Sequence, residues 1–180
     1  TPEDALPKPQ SPYGVTKLAA EHLCALYHAN YGVASVSLRY FSVYGPRQRP
    51  DMAFNRFCRA ALSGEPLTIF GNGEQTRDFT FVGDVVAATR AAATAPGARG
   101  VYNVGGGSRV SVNEALDIIA SLAGRSLNVQ HLGSERGDVR DTGADTTRAR
   151  RDLGFGPATT LGSGLQEEFE WMRGLARRPD

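Results

Sequence analysis

Apolar side chains at Val15, Leu18, Ala19, Leu23, Leu26 and Tyr27 recur at the spacing of one helix face. Ser11 precedes that run and Pro12 opens it: an N-cap hydroxyl, then a proline whose missing N–H is no loss in a first turn. Gly32 marks the end of the helix. Residues 1–10 are Pro-rich and polar and read as a loop. Residues 33–41 alternate and are rich in β-formers, which predicts a buried strand. Residues 42–51 hold Gly45, Pro46, Pro50 and two arginines and read as a loop, and 52–62 read as a helix ended by Ser63 and Gly64.

The rest of the chain keeps alternating. Residues 67–70 predict a short strand, Gly71-Asn72-Gly73 a turn and 77–81 a returning strand, which together make a hairpin. Gly83-Asp84 starts an Ala-rich helix to about Ala95, and 101–104 form a strand running into Gly105-Gly106-Gly107. Ser111 and Glu114 have the spacing of a capping box for a helix to Leu122. A strand over 127–132 and helices over 146–153 and 164–175 complete a mixed α/β pattern. The glycine run lacks the spacing of a dinucleotide fingerprint and is read as a strand-end turn.

Composition then excludes several classes. With 180 residues, 41% of them hydrophobic, the chain can bury one compact core or slightly more. A net charge of +1 argues against general nucleic-acid binding. No apolar run approaches the roughly 20 residues of a membrane span, so no membrane role is expected. Cys24 and Cys58 fall within helical patterns and are expected to be buried free thiols, which fits a reducing cytoplasm. No His/Cys spacing points to a metal.

Tyr13 and Lys17 stand four residues apart on the first helix, so a phenol and an ammonium share one face. A cation held beside a phenol favours the phenolate, and a phenolate can accept a proton from a sugar hydroxyl. The spacing alone favours a packed tyrosine beside a solvated lysine, because Y-x-x-x-K is common by chance.

Longer motifs carry more. The stretch Ser11-Pro12-Tyr13-Gly14-Val15-Thr16-Lys17-Leu18-Ala19-Ala20-Glu21 resembles the catalytic helix of the extended short-chain dehydrogenase/reductases, and within them of the nucleotide-sugar epimerases. Residues 38–51, residues 67–79, Tyr102-Asn103-Val104-Gly105 and Gly137-Asp138-Val139 are similar to later landmarks of the family, in the same order.

The resemblance implies a fold: the C-terminal part of a Rossmann-type doubly wound parallel sheet plus a smaller α/β substrate-binding domain. Residues 1–45 would end the NAD-binding domain, and 46–180 would be mainly the nucleotide-sugar domain, with some segments returning to the sheet. The resemblance also implies NAD as cofactor and a UDP-sugar as substrate. Tyr13 would be the acid/base and Lys17 would hold the nicotinamide ribose. Tyr40 and Ser42 would border nicotinamide and substrate. Thr68 and Phe70 would flank the uracil. Arg77 would pair with the diphosphate or ribose, its fork matching phosphate oxygens, and Asp138 would lie near the ribose. Relatives place an arginine two positions before that Gly-Asp, where this chain has Glu135, and Arg136 stands one position closer.

Ser42 stands where many of these epimerases and dehydratases have Asn. UDP-glucuronate 4-epimerases often have Thr there and continue as this chain does over 43–54. A small hydroxyl leaves room for a carboxylate on sugar C6, and Arg49 can bind that carboxylate through two donors. The resemblance therefore favours UDP-glucuronate 4-epimerisation, with UDP-glucose next, through a 4-keto intermediate. The rivals are a 4,6-dehydratase, a UDP-glucuronate decarboxylase, and a non-catalytic nucleotide-sugar-binding fragment. The family's dinucleotide fingerprint and its catalytic Ser/Thr have no counterpart here, so the chain is expected to be the C-terminal part of a longer protein. A homodimer through the face of the first helix bearing Leu23 and Tyr27 is also implied.

Overall fold

The Ser11 hydroxyl accepts the Gly14 amide at 3.1 Å and so starts α1 (Pro12–Tyr31), which Gly32 ends. In this computed structural model residues 1–107, 109–133 and 141–176 are described. After α1 come β1 (Val36–Tyr40), β2 (Val43–Tyr44), α2 (Ala53–Ser63), β3 (Leu67–Phe70), β4 (Thr76–Asp78) and β5 (Thr80–Phe81). They are followed by α3 (Val82–Thr94), β6 (Gly100–Val104), β7 (Arg109–Ser111), α4 (Val112–Ala123), β8 (Val129–Leu132), α5 (Thr147–Leu153) and α6 (Leu161–Ala176). The predicted capping box forms: the Ser111 hydroxyl accepts the Glu114 amide at 3.1 Å, and Glu114 Oε2 accepts the Ser111 amide at 2.8 Å.

Strand pairing follows the α/β expectation, with parallel pairs β1–β6, β2–β5 and β3–β8 and an antiparallel pair β4–β7. The hairpin expected around Gly71-Asn72-Gly73 does not form. The edge of β3 is taken by β8, whose residue 129 follows α4, while β4 turns away to pair with β7. The strand expected over 77–81 breaks at Phe79, because its first half pairs with β7 and its second with β2. Asp78 fixes the break: its buried carboxylate accepts the Gly106 amide at 2.6 Å and the Ala144 amide at 2.9 Å. A Cβ at Gly106 would sit on the Phe79 carbonyl oxygen, so that close approach needs glycine. Residues 43–44, read as loop, form β2, and β7 was not foreseen either. Both are too short for their pattern to show.

Two apolar clusters result. The larger joins α2, β3, α4 and α6 through residues such as Phe54, Phe57, Ile69, Ile119, Leu165 and Phe169. The smaller joins α3, β6 and α5 through Ala88, Tyr102, Val104, Ala149 and Leu153. α1 contributes no buried residue. It is held to β1 by Arg39, whose fork donates to both oxygens of Glu21 at 2.8 and 2.6 Å. Cys58 is buried, but Cys24 is only half-buried, because α1 covers the sheet with one narrow stripe; both thiols are free.

Candidate active site

Tyr13 and Lys17 do share a face of α1. The Lys17 ammonium lies 5.2 Å from the centroid of the Tyr13 ring. Tyr13 is 70% exposed and borders an open cleft of about 700 Å³ whose far wall is the segment after β2, from Gly45 through Arg49.

A second cavity, of about 260 Å³, adjoins it. Ser42, Thr68, Phe70 and Arg77 all line it, so four of the residues singled out from sequence converge although they come from two strands and a loop. β3 supplies two of them by alternation: Leu67 and Ile69 are buried in the core, while Thr68 and Phe70 are more open. Ser42 reaches the cavity from a left-handed backbone, φ 29, an uncommon conformation for a residue with a side chain. It is locked by Thr80, whose amide donates to the Ser42 carbonyl at 3.2 Å and whose hydroxyl donates to the Phe41 carbonyl at 2.5 Å. The two spaces share Val43, Tyr44, Gln48 and Met52 as a common wall.

Arg49 borders the Tyr13 cleft and ion-pairs with Asp51 at 2.9 Å, both side chains being largely exposed. An exposed pair of this kind is worth little and exchanges partners readily. The Tyr40 side chain lines neither space; its hydroxyl is paired with the Thr89 hydroxyl at 3.0 Å. Asp138 and Arg136 lie outside the described residues.

Three residues of the site were missed. Gln48 staples the shared wall, its amide donating to the Val43 carbonyl at 3.0 Å and its oxygen accepting the Asn55 amide at 2.9 Å. Arg39 and Glu21 set the attitude of the helix bearing Tyr13. All three stood inside motifs already singled out, but nothing in a linear pattern pairs residues 18 positions apart.

The match to known proteins is decisive at this point: residues 1–105 fit the family model described as NAD dependent epimerase/dehydratase family. The chain belongs to that family. It is 43% identical over 168 residues to an uncharacterized UDP-glucose epimerase, YtcB, of Bacillus subtilis (strain 168), covering 93% of this chain and 53% of that protein. It is 32% identical over 170 residues to a dTDP-glucose 4,6-dehydratase of Streptomyces griseus, covering 94% and 52%. The crystal structure of UDP-glucuronic acid 4-epimerase from Bacillus cereus, in complex with UDP-glucuronic acid and NAD, superposes with a TM-score of 0.92 at 44% identity, covering 96% of this chain and 56% of that one. The chain thus spans about half the length of the relatives it matches. Family members depend on NAD, and Tyr13, exposed on the open cleft with the Lys17 ammonium beside its ring, offers a hydroxyl and a cation to a polar ligand. Among the described residues no helix is long and apolar enough to cross a membrane, and no cluster of three or more His, Cys, Asp or Glu could hold a metal.

Proposed function

We propose that this chain is the substrate-binding and proton-transfer part of an NAD-dependent UDP-glucuronate 4-epimerase. The observation that carries the reading is the junction of two spaces: one lined by Ser42, Thr68, Phe70 and Arg77, the other by Tyr13 and Arg49. In this reading residues 1–45 end a dinucleotide-binding domain and 46–180 are mainly the nucleotide-sugar domain, with segments such as β6 returning to the first.

Phe70 and Thr68 hold the uracil and Arg77 grips the diphosphate, so the sugar falls toward Tyr13. Tyr13, with the Lys17 ammonium beside its ring, takes the proton from the C4 hydroxyl as that carbon is oxidised. It returns a proton as the opposite face is reduced. Lys17 also holds the nicotinamide ribose, and the backbone of residues 40–42 borders the ring. NAD, when bound, supplies the hydride acceptor and then the donor at C4, so no net redox occurs. The sugar turns between the two half-reactions while Arg77 keeps the diphosphate. Arg49 exchanges Asp51 for the C6 carboxylate, and the small Ser42 side chain leaves room for it.

Incubating the full-length enzyme with UDP-glucuronate and NAD tests the reading. UDP-galacturonate is the expected product. A UDP-pentose alone would make it a decarboxylase, a product dehydrated across C5 and C6 a dehydratase, and binding without turnover a nucleotide-sugar binder. The half-exposed Leu23, Leu26 and Tyr27 on α1 support a homodimer, which sedimentation would detect. The reading places the enzyme in the cytoplasm, where two free thiols stay reduced.

A further inference from the structure

α6 directs Leu165, Phe169 and Met172 into the larger core, and helical spacing puts Glu168 on the same face. Glu168 has no exposure to solvent. Its Oε2 accepts the Gly45 amide at 2.9 Å, and its Oε1 has no hydrogen-bond partner among the described residues. An acid retained in an apolar core with a single donor is costly, so that donor is the place to look for its purpose.

Gly45 opens the segment that forms the far wall of the Tyr13 cleft. Its φ is 133, and a Cβ there would press on Val82 Cγ1 at 2.6 Å. The turn therefore exists only with glycine, and its inward amide has Glu168 as acceptor. Two residues on, Arg47 also has a positive φ, of 71. The wall thus leaves β2 along an unfavourable path that a local anchor has to hold.

We propose that Glu168 is a positioning residue: its carboxyl fixes the Gly45 turn and, through it, the wall of residues 47–49 that faces Tyr13. The proposal rests on the reading of that cleft as the sugar site. Tyr44 of β2 and Cys58 of α2 face Glu168, and Asp84 of α3 and Glu167 of α6 act on the same Tyr44 hydroxyl. None of these is a cation. Burial accordingly pushes the Glu168 carboxyl up to about 7, against the opposing pull of the Gly45 amide. Near neutral pH the anchor is then divided between its acid and its carboxylate form.

The test uses Glu168→Ala and Glu168→Gln in the full-length enzyme. Glu168→Ala should raise KM for UDP-glucuronate on the order of tenfold, while the affinity for UDP alone, held by Thr68, Phe70 and Arg77, stays within about twofold. Glu168→Gln, which keeps an acceptor for the Gly45 amide, should restore KM to within about twofold of wild type. An unchanged KM in Glu168→Ala, a parallel loss of UDP affinity, or no rescue by Glu168→Gln each overturns the proposal. If Glu168→Ala does not fold, the Gly45 amide proton, followed by NMR in wild type and Glu168→Gln, decides. It should shift with the titration of Glu168 in wild type and stay still in Glu168→Gln; an immobile resonance in wild type overturns the anchor. That NMR result needs no turnover, so an enzyme that lacks epimerase activity refutes the sugar-site reading separately.

Discussion

The two ends of the candidate site are built in opposite ways. The Thr68, Phe70 and Arg77 end stands on the larger core: the strand that turns Thr68 and Phe70 outward buries Leu67 and Ile69 beneath them. The Tyr13 end stands on a helix with no buried residue, tied to β1 by the Arg39–Glu21 fork and to the residue before β1 by the Ser35 hydroxyl on the Cys24 carbonyl. Packing within this chain shapes the first, whereas the pitch of one helix makes the second. Substitutions at the packed end should therefore act on folding and nucleotide affinity together, and those at the helical end on chemistry with little effect on stability.

The largest contrast is at Tyr13. Tyr13→Phe in the full-length enzyme should lower kcat by about 10²–10⁴-fold, the usual contribution of a proton-transfer group. UDP affinity and melting temperature should be unchanged within error; wild-type turnover would remove Tyr13 from the chemistry. Leu165→Ala is the counterpart under the packed end. Leu165 is fully buried, and its truncation should cost about 2–5 kcal/mol in denaturant unfolding. A cost below about 1 kcal/mol would show that the cavity does not depend on this core.

Arg77→Leu sharpens the difference within binding. Losing a charge-assisted contact worth about 1.5–3 kcal/mol should weaken UDP binding by roughly 10–100-fold in calorimetry and leave uridine binding nearly alone. Equal losses for both ligands would move Arg77 away from the diphosphate.

Glu168 gives a pH test. Its carboxyl is pushed up to about 7 from 4.5, so its protonated form is the one that folding favours. Its contribution is whole below the ordinary carboxylate range and is lost as pH rises through about 7. The stability of wild type relative to Glu168→Gln should fall by about 1–3 kcal/mol between pH 5 and 8. A flat difference would mean that the acid is solvated or paired. The smallest effect is expected at the cap: Ser11→Ala should cost about 1 kcal/mol or less and speed amide exchange only in the first turn of α1.

Much of this was legible in the sequence, for reasons particular residues show. Ser11, Gly32 and the Ser111–Glu114 box announced their helix ends because capping is settled within four residues. Tyr13 and Lys17 were bound to share a face because they are one turn apart on a helix. The failed hairpin marks the limit. Gly71-Asn72-Gly73 permits a reversal, but the strand beside β3 is β8, some 60 residues later, and β4 pairs elsewhere, a long-range choice that no local turn signal carries.

By itself the sequence determined which segments are helical, where they stop and which side chains lie one turn apart, since those are short-range matters of backbone sterics and local hydrogen bonds. Only the tertiary structure decided that Ser42, Thr68, Phe70 and Arg77 share a cavity, that Arg39 holds Glu21 and that a glutamate in the middle of α6 reaches the Gly45 amide. Those meetings are fixed by the burial of many apolar side chains at once, a sum over the whole fold that no local stretch carries.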